Sequence, residues 1–461
     1  MTHWLRTTAI TGGLLLLSAC GGGETTSPDP TPSRSYSVGG SVTGLSGDSL
    51  ALKVNGGTAL TVAEGTASWT HTTSVANGSP YTVTISKQPA GRRCTLAQAS
   101  GTVSGADVTS VSVTCAAVTW VTSAVAGSDG RGYVNAQGTQ AKFNGVYGIV
   151  TDPDGYVYVT DYNNHAIRKI TQGGTVTTFF DQNSNSSSMG FSYPSGLARD
   201  SQGNFFVSSP DYHLIYKITP SGGFSIFAGG GSSQTQSGYT DGQGTAALFN
   251  NPQGLAVDQN DNVYVADTSN YAIRMITPQG LVSTWAGTGT SGVTNGVRGQ
   301  AEFGYPTGVA FGPDGSLYVA DGTANQIRMI APDGQVSALA GTGYSGQTDG
   351  VASNATFTEP MGICTDSQGT LYVTERDTNT VRMVSLPYEV TDSQGNTTRY
   401  PARVSTIAGS GLAGDTDDPA GPNTTTGRID AIAVDRDGTL YFTKNFRTPT
   451  DRSVVRKITP Q

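Results

Sequence analysis

An acidic residue and an arginine recur seven positions apart along this chain. The pairs are Asp161 with Arg168, Asp267 with Arg274, Asp321 with Arg328, and Glu375 with Arg382. Carboxylates and guanidinium groups form strong charge-assisted contacts, so the recurrence predicts a structural bridge that each repeat makes again. A ring of catalytic carboxylates is the alternative, but acid–base catalysis needs groups in different roles rather than one repeated role.

Two histidines could contribute to a metal site. His165 and His213 each lie three residues before the repeated arginine position, which Tyr216 occupies in the second case. A catalytic zinc normally takes three protein ligands, so two imidazoles are an incomplete set. The acidic run 415–418 could hold Ca²⁺ but lacks the spacing of a full oxygen-ligand loop. The sequence therefore favours a protein without a cofactor, with Zn²⁺ or Ca²⁺ as the alternatives.

The elements that carry these residues belong to six copies of one repeat. The copies begin at Phe143, Phe191, Phe249, Phe303, Phe357 and near Gly427. Each copy contains four short apolar runs separated by Asp/Asn/Gly turns and Pro-x-Gly turns, as in Val263 to Asp267 and Leu281 to Ala286 of the third. Four strands per repeat are typical of a propeller blade.

The third copy resembles the NHL-repeat family most clearly. It contains Pro252-Gln-Gly254, Val265-Ala-Asp267, Asn270-Tyr-Ala-Ile-Arg-Met-Ile276 and Val282-Ser-Thr-Trp-Ala-Gly287. The resemblance implies an all-β, six-bladed propeller. Propellers of this family act as protein-binding, RNA-binding or sensor modules, or as lyases and lactone hydrolases, and the fold does not choose among these functions.

The sixth copy ends at Gln461 without a fourth strand. Residues 118–127 match the fourth strand of the third copy, Gly280 to Gly287. We therefore expect a propeller domain over 117–461 that is closed by a strand at 118–126, which leaves no unpaired sheet edge.

The first strand of each copy starts with a different side chain. These positions are Tyr147, Ser195, Gln253, Thr307, Met361 and Asp430. Starts of innermost strands rim the central channel, so the mixed set predicts a small-ligand mouth, with an unselected solvated rim as the alternative. Loops on the same face add Tyr162, Tyr212 and Tyr271, which predicts an aromatic binding surface. Asn135, Asp241, Asn295 and Asp349 in the loops between copies are interpreted as Asx-type turns.

The N-terminus resembles a bacterial lipoprotein signal. A basic start, a short apolar run and Leu17-Ser-Ala-Cys20 predict a signal peptide at 1–19 and lipidation of Cys20. Residues 20–35 are rich in Gly, Ser, Thr and Pro and predict a flexible tether. Gly21 after the lipidated cysteine favours the outer membrane, with the protein facing the periplasm or the cell surface.

A small module separates the tether from the repeats. Seven short alternating runs over 36–116 predict an immunoglobulin-like β-sandwich. Cys94 and Cys115 both lie in it and predict a disulfide in an oxidising compartment, with two buried thiols as the alternative. Cys364 takes an apolar position of an inner strand, so we expect a small buried side chain there.

Composition limits the partners of the protein. The formal net charge is −8 and only 13% of the residues are charged, so the chain cannot supply the basic surface that nucleic-acid binding needs. No Gly-x-Ser-x-Gly or His-Glu-x-x-His motif is present. The sequence favours a monomeric, non-catalytic binding or scaffold lipoprotein whose propeller mouth takes a protein or glycan partner. A propeller-type lyase or lactonase acting in the channel is the alternative.

Overall fold

The computed structural model describes residues 34–128, 130–183, 190–392, 394–409, 428–445 and 453–461. The predicted signal peptide, Cys20 and all but the last two residues of the tether lie outside these ranges. Strands dominate the described residues. The helical elements among them are the short 3-10 turns Gly138–Gln140, Tyr162–Asn164, Pro210–Tyr212, Gly244–Ala246 and Thr268–Asn270. Within the described ranges, no helix has the length and apolar character that would let it cross a lipid bilayer.

Six antiparallel sheets follow one another in the described part of the repeat region, numbered here in chain order. Sheet 1 has the strands Val146–Thr151, Val157–Asp161, Ala166–Ile170 and Val176–Asp181; sheet 2 has Leu197–Arg199, Phe205–Ser209, Leu214–Ile218 and Phe224–Gly229. Sheet 3 has Pro252–Val257, Val263–Asp267, Ala272–Ile276 and Leu281–Ala286; sheet 4 has Pro306–Phe311, Leu317–Asp321, Gln326–Ile330 and Gln335–Ala340. Sheet 5 has Pro360–Thr365, Leu371–Glu375, Thr380–Ser385 and Arg403–Ala408; sheet 6 has Arg428–Val434, Leu440–Asn445, Ser453–Pro460 and Trp120–Ala126. Two-residue strands extend sheets 3, 4 and 5 at their outer edges: Gly242–Gln243, Gly296–Val297 and Gly350–Val351.

The sheets form a closed ring. The first strand of each sheet contacts the first strand of the next, and sheet 6 contacts sheet 1 in the same way. A separate apolar cluster fills the space between each pair of neighbouring sheets. Burial of apolar surface between neighbours is the main stabilising contribution in repeat architectures of this kind.

The chain closes the ring by pairing its two distant ends. Trp120–Ala126 lies antiparallel to Ser453–Pro460, with Trp120 opposite Pro460 and Ala124 opposite Arg456. Ala126 is fully buried, and it packs with Phe143 and Val455 between sheets 6 and 1. Residues more than 300 positions apart in sequence therefore belong to one sheet.

Glycines allow the innermost strands to approach closely. A Cβ atom at Gly148, Gly196 or Gly254 would lie 2.1–2.4 Å from a backbone oxygen of the next sheet, in its first strand or just before it. Real side chains do not tolerate such distances, so the recurring glycine is a packing requirement.

The N-terminal module contains two four-stranded sheets around one core. The first sheet is ordered Ser68–Thr70, Val38–Thr43, Val108–Ala117 and Arg92–Ala97; the second is ordered Leu60–Val62, Leu50–Val54, Pro80–Lys87 and Ser100–Thr102. A short pair, Ser35–Tyr36 with Val75–Ala76, completes the module. A disulfide joins Cys94 and Cys115 on neighbouring strands, and both belong to the buried core.

A β-hairpin inserted in sheet 5 holds the module against the ring. Its strands are Tyr388–Thr391 and Thr397–Tyr400. The Glu64 backbone N–H donates to the Tyr388 hydroxyl at 3.2 Å, and Arg403 forms an ion pair with the Glu64 carboxylate at 3.1 Å. This contact was not predicted from the sequence, because the repeat pattern contains no counterpart of the hairpin.

Candidate ligand-binding site

The predicted rim side chains converge on one cavity at the centre of the ring. The cavity measures about 310 Å³, near the lower end of the range for small-ligand sites. Its lining includes Tyr147, Ser195, Gln253, Thr307, Met361 and Asp430, the six positions that begin the inner strands. Tyr162, Asp211, Arg376 and Arg428 add to the lining from neighbouring loops and strand ends.

Hydroxyl groups fix the backbone of this rim. Thr160 donates its hydroxyl to the Ser195 carbonyl at 2.8 Å, and Thr443 donates to the Tyr147 carbonyl at 3.0 Å. In the other sheets, Ser208 donates to Gln253, Thr307 to Met361 and Thr374 to Asp430. Each hydroxyl joins one sheet to the next, so the rim side chains project from a rigid frame, as a preorganised binding site requires.

Aromatic rings form a cluster on the side of the mouth that sheets 1 and 2 build. Tyr162 packs edge-on against Tyr147 with ring centroids 5.0 Å apart, and Tyr193 lies 5.1 Å from Tyr162. Tyr162 donates its hydroxyl to Asp211, and burial, together with that carboxylate, raises the pKa of Tyr162. The cluster is held by contacts between two sheets.

The structure brings only part of the predicted aromatic surface to the cavity. Tyr212 stacks on Tyr193 at 6.1 Å behind the lining, and Tyr271 caps the turn Thr268–Asn270 in a left-handed conformation outside it. Tyr193 was missed at the sequence level. Its φ of 46° recurs at the matching positions Asn251 (57°) and Glu359 (47°), so the left-handed backbone belongs to the repeat.

The repeated acid–arginine pairs are buried structural bridges. Arg168 Nη1 lies 2.7 Å from Asp161 Oδ2, and neither side chain is exposed to solvent. The pairs Asp267–Arg274, Asp321–Arg328 and Glu375–Arg382 repeat this contact at 2.8, 3.4 and 3.0 Å. Each carboxylate also accepts a backbone N–H from the start of its own repeat, as Asp267 does from Asn250. None of these pairs lines the cavity.

The inter-repeat Asn and Asp residues are the second partners of these arginines. Arg274 Nη2 donates to Asp241 Oδ1 at 2.6 Å. Asn135, Asn295 and Asp349 accept from Arg168, Arg328 and Arg382 at 2.6–2.7 Å. The interpretation of these residues as Asx-type turns was therefore wrong. The constant spacing of 33 residues between each acceptor and its arginine was the sequence signal that could have identified the pairs.

The two histidines link adjacent sheets. His165 Nδ1 accepts the Tyr193 backbone N–H, and His213 Nδ1 accepts the Asn251 backbone N–H, both at 3.1 Å. Asn325 and Ser453 occupy the same position in other sheets and accept the N–H groups of Glu359 and Gly145. In these four sheets, the position supplies a side-chain acceptor for the next sheet.

Protonation of these histidines should weaken the ring. Burial lowers the pKa of both His165 and His213, because a charged imidazole is poorly solvated there. A protonated imidazole also could not accept a hydrogen bond at Nδ1. The unfolded chain then binds more protons as the pH falls below about 6.5, so folding stability should decrease from that pH downwards. Urea unfolding at pH 7.5 and pH 5 measures the effect, with roughly 1 kcal/mol expected for each lost hydrogen bond.

A double variant separates this effect from other titrations. His165→Asn and His213→Asn keep an acceptor, as Asn325 does naturally, but cannot be protonated. We expect the variant to fold normally. Its folding stability should decrease less than that of the unmodified protein between pH 7.5 and pH 5. An unchanged pH profile would show that the two imidazoles do not act as titrating links.

The remaining predicted sites are not at the cavity. The acidic run 415–418 lies outside the described residues. Among the residues that the structure describes, no group of three or more His, Cys, Asp or Glu side chains is arranged to hold a metal ion. Cys364 packs at the edge of the cluster between sheets 5 and 6, and burial raises the pKa of its thiol well above the usual value.

Family models match the repeat region in two segments. Residues 133–303 match the Teneurin NHL domain, and residues 303–328 match the NHL repeat. The ring is an NHL-repeat β-propeller. The NHL repeat-containing protein 2 of Homo sapiens is 32% identical over an alignment of 173 residues, and the match covers 32% of this chain and 24% of that protein. The chain thus spans only about a quarter of the length of this relative.

Two solved structures resemble both parts of the chain. A protein of unknown function from Bacteroides thetaiotaomicron has a TM-score of 0.56 and 15% identity, covering 91% of this chain and 92% of its own. An auxiliary nutrient binding protein from Bacteroides ovatus has a TM-score of 0.51 and 15% identity over the same shares. At this identity the likeness concerns the fold. It extends beyond the propeller, because residues 117–461 alone are less than the 91% of the chain that is covered.

Proposed function

We propose that this protein is a non-catalytic binding protein that takes a glycan in the mouth of its propeller. The observation that carries the proposal is the convergence of six different rim side chains on one cavity. The acid–arginine pair keeps its residue types in four of the sheets, whereas all six rim positions differ, which supports a cavity that takes one asymmetric ligand. The auxiliary nutrient binding protein of Bacteroides ovatus supports a binding role for a protein of this overall fold.

The lining suits a polyhydroxylated ligand better than a protein surface. The cavity is concave and of small-molecule size, while a stable protein interface buries roughly 800 Å² on each partner. Tyr147 and Tyr162 offer ring faces or edges to a sugar ring, and Gln253 and Ser195 offer hydrogen-bonding groups. Aromatic residues give contact area at low entropic cost, and the polar groups fix the orientation.

The setting that we propose is the bacterial outer membrane. Cys20 would carry the lipid, residues 20–35 would form the tether, and an immunoglobulin-like module would separate the tether from a six-bladed, monomeric propeller. The Cys94–Cys115 disulfide is compatible with an oxidising envelope compartment. Binding would require no metal, since His165 and His213 already use Nδ1 to hold the neighbouring sheets.

Replacing Tyr147 tests the binding site. Tyr147→Ala removes a ring from the cavity, and we expect it to weaken saccharide binding about tenfold, the size of a contact worth 1–2 kcal/mol. Isothermal titration with a panel of neutral and acidic mono- and disaccharides measures the change. Circular dichroism and a thermal melt show whether the variant folds.

Tyr271→Asn is the matched control. Tyr271 lies outside the cavity, and Asn325 shows that asparagine fits this left-handed position. The control should bind as the unmodified protein does. Equal affinity of Tyr147→Ala and the unmodified protein, or no saccharide bound at millimolar concentration, would refute the proposed function.

A further inference from the structure

An aspartate lies beside the tyrosine cluster at the mouth of the cavity. Asp211 is the second residue of the turn Pro210–Tyr212, which follows the second strand of sheet 2. Its side chain lines the cavity and accepts the Tyr162 hydroxyl from sheet 1. The pair therefore joins two neighbouring sheets at the point where the tyrosine rings reach the cavity.

The turn holds the Asp211 carboxylate in place. Pro210 begins the turn and restricts its backbone, and the His213 N–H donates back to the Pro210 carbonyl at 3.3 Å. Tyr212, the last residue of the turn, stacks on Tyr193 with ring centroids 6.1 Å apart. Asp211 is thus a preorganised acceptor, as a binding site requires.

The Asp211 carboxylate has acceptor capacity that the protein does not use. The Tyr162 hydroxyl donates to Oδ2. Across the ranges that the structure describes, Oδ1 accepts no hydrogen bond, and no lysine or arginine forms an ion pair with this carboxylate. The residue is exposed at the mouth. Because a carboxylate accepts through both oxygens, Asp211 can take a donor from a ligand without losing Tyr162.

The other carboxylate of the cavity is already engaged. Asp430 Oδ1 accepts Arg428 Nε at 2.9 Å and also lies 3.5 Å from Arg376 Nη2. The Arg428 guanidinium lies 5.8 Å from the Tyr147 ring centroid, so a cation already occupies that side of the mouth. A positively charged group of a ligand is therefore expected at Asp211 and not at Asp430.

We propose that the ligand is an amino sugar whose ammonium group binds Asp211 beside the Tyr162 ring. This inference rests on the proposed function and specifies the ligand class. An ammonium group has several N–H donors for a carboxylate, and the faces of tyrosine rings attract cations. Ser195 and Gln253, which line the cavity from sheets 2 and 3, would hydrogen-bond the sugar hydroxyl groups.

The test compares each amino sugar with two uncharged relatives. Isothermal titration uses glucosamine and galactosamine, each beside its N-acetyl derivative and its parent hexose, at neutral pH and low salt. We expect at least one amino sugar to bind about fivefold or more tightly than both relatives, the upper range for an exposed ion pair. The preference should decrease when NaCl is raised to about 0.5 M, which screens such a pair.

Asp211→Asn removes the charge from the proposed site. Its amide oxygen can still accept the Tyr162 hydroxyl, so the tyrosine cluster keeps its contact with sheet 2. We expect the variant to lose most of the preference for the amino sugar and to bind the parent hexose with a much smaller loss. A thermal melt shows whether it folds as the unmodified protein does.

Asp377→Asn is the matched control. Asp377 takes the same place in sheet 5, as the second residue after the strand Leu371–Glu375, and it is also exposed. It does not belong to the cavity lining, so its replacement removes the same charge from an equivalent turn. The preference for the amino sugar should be unchanged.

The outcomes separate the two proposals. Equal binding of amino sugars and their uncharged relatives, with loss of both in Tyr147→Ala, would overturn the amino sugar and leave the glycan site standing. A preference that persists in Asp211→Asn, or that Asp377→Asn reduces equally, would overturn the role of Asp211. No binding of any amino, neutral or acidic sugar at millimolar concentration would overturn both proposals.

Discussion

Arg274→Ala is expected to lower the free energy of unfolding by about 3–5 kcal/mol, because it leaves a buried carboxylate without its partner. Arg274 and Asp267 are both fully buried and lie 2.8 Å apart. The arginine also packs over Phe249, at 5.3 Å from the ring centroid, and donates to Asp241 and to two backbone carbonyls. Urea unfolding of the full chain, followed by tryptophan fluorescence, measures the loss.

The pH dependence of this variant identifies the cause. Burial already raises the pKa of Asp267 to about 6 in the intact protein, against the opposing effect of Arg274 and several hydrogen bonds. Without the arginine, the folded-state pKa of Asp267 should rise further, and the folded chain would then bind more protons than the unfolded chain. The difference in unfolding free energy between the unmodified protein and Arg274→Ala should therefore shrink as the pH falls from 8 to 5. A deficit independent of pH would mean that lost packing, not the buried charge, dominates.

Sheet 2 supplies a natural control for the same position. Ser209 and Tyr216 replace the acid and the arginine there; Tyr216 donates to the Gly190 carbonyl, and Ser209 donates to the Ser192 carbonyl. The double variant Asp267→Ser, Arg274→Tyr should therefore be more stable than Arg274→Ala. Asp241→Asn should lower the free energy of unfolding only slightly. Asn135 and Asn295 accept from the arginine at this position in other repeats, and the Asp241 side chain is 53% exposed.

Local features of the repeats were predictable from the sequence. The strands Val263–Asp267 and Leu281–Ala286 have the predicted bounds, since alternation and flanking turn residues determine strands of this length locally. The structural role of the acid–arginine pairs was also predictable, because six copies in one chain allow repeated positions to be distinguished from variable ones.

Features that depend on contacts between repeats were not predictable. The rim positions could be identified, but the packing of Tyr147, Tyr162 and Tyr193 into one cluster follows from which sheets lie next to one another. Tyr193 enters the aromatic cluster through a left-handed backbone that the residue type disfavours. The sequence suggested a metal site at His165 and His213 because spacing alone does not reveal the role that the structure shows. Each histidine accepts a backbone N–H of the next repeat.

Loss of the closing strand should destabilise the whole ring. A chain beginning at Ser128 lacks Trp120–Ala126, which pairs along Ser453–Pro460 and places Val125 and Ala126 in the core between sheets 6 and 1. About five or more backbone hydrogen bonds and two buried side chains would be lost. We therefore expect the free energy of unfolding to decrease by an amount on the order of 5 kcal/mol.

The matched control for this truncation is a chain beginning at Val118. It lacks the same N-terminal module but keeps the strand, so the difference between the two chains reports closure alone. Because sheet 6 contacts both of its neighbours, an open ring exposes the edge Ser453–Pro460 and weakens two inter-sheet cores together. Hydrogen exchange should therefore be faster in all six sheets of the shorter chain, including sheet 3 on the far side. Faster exchange confined to sheets 6 and 1, with equal melting temperatures, would show that the ring does not depend on this closure.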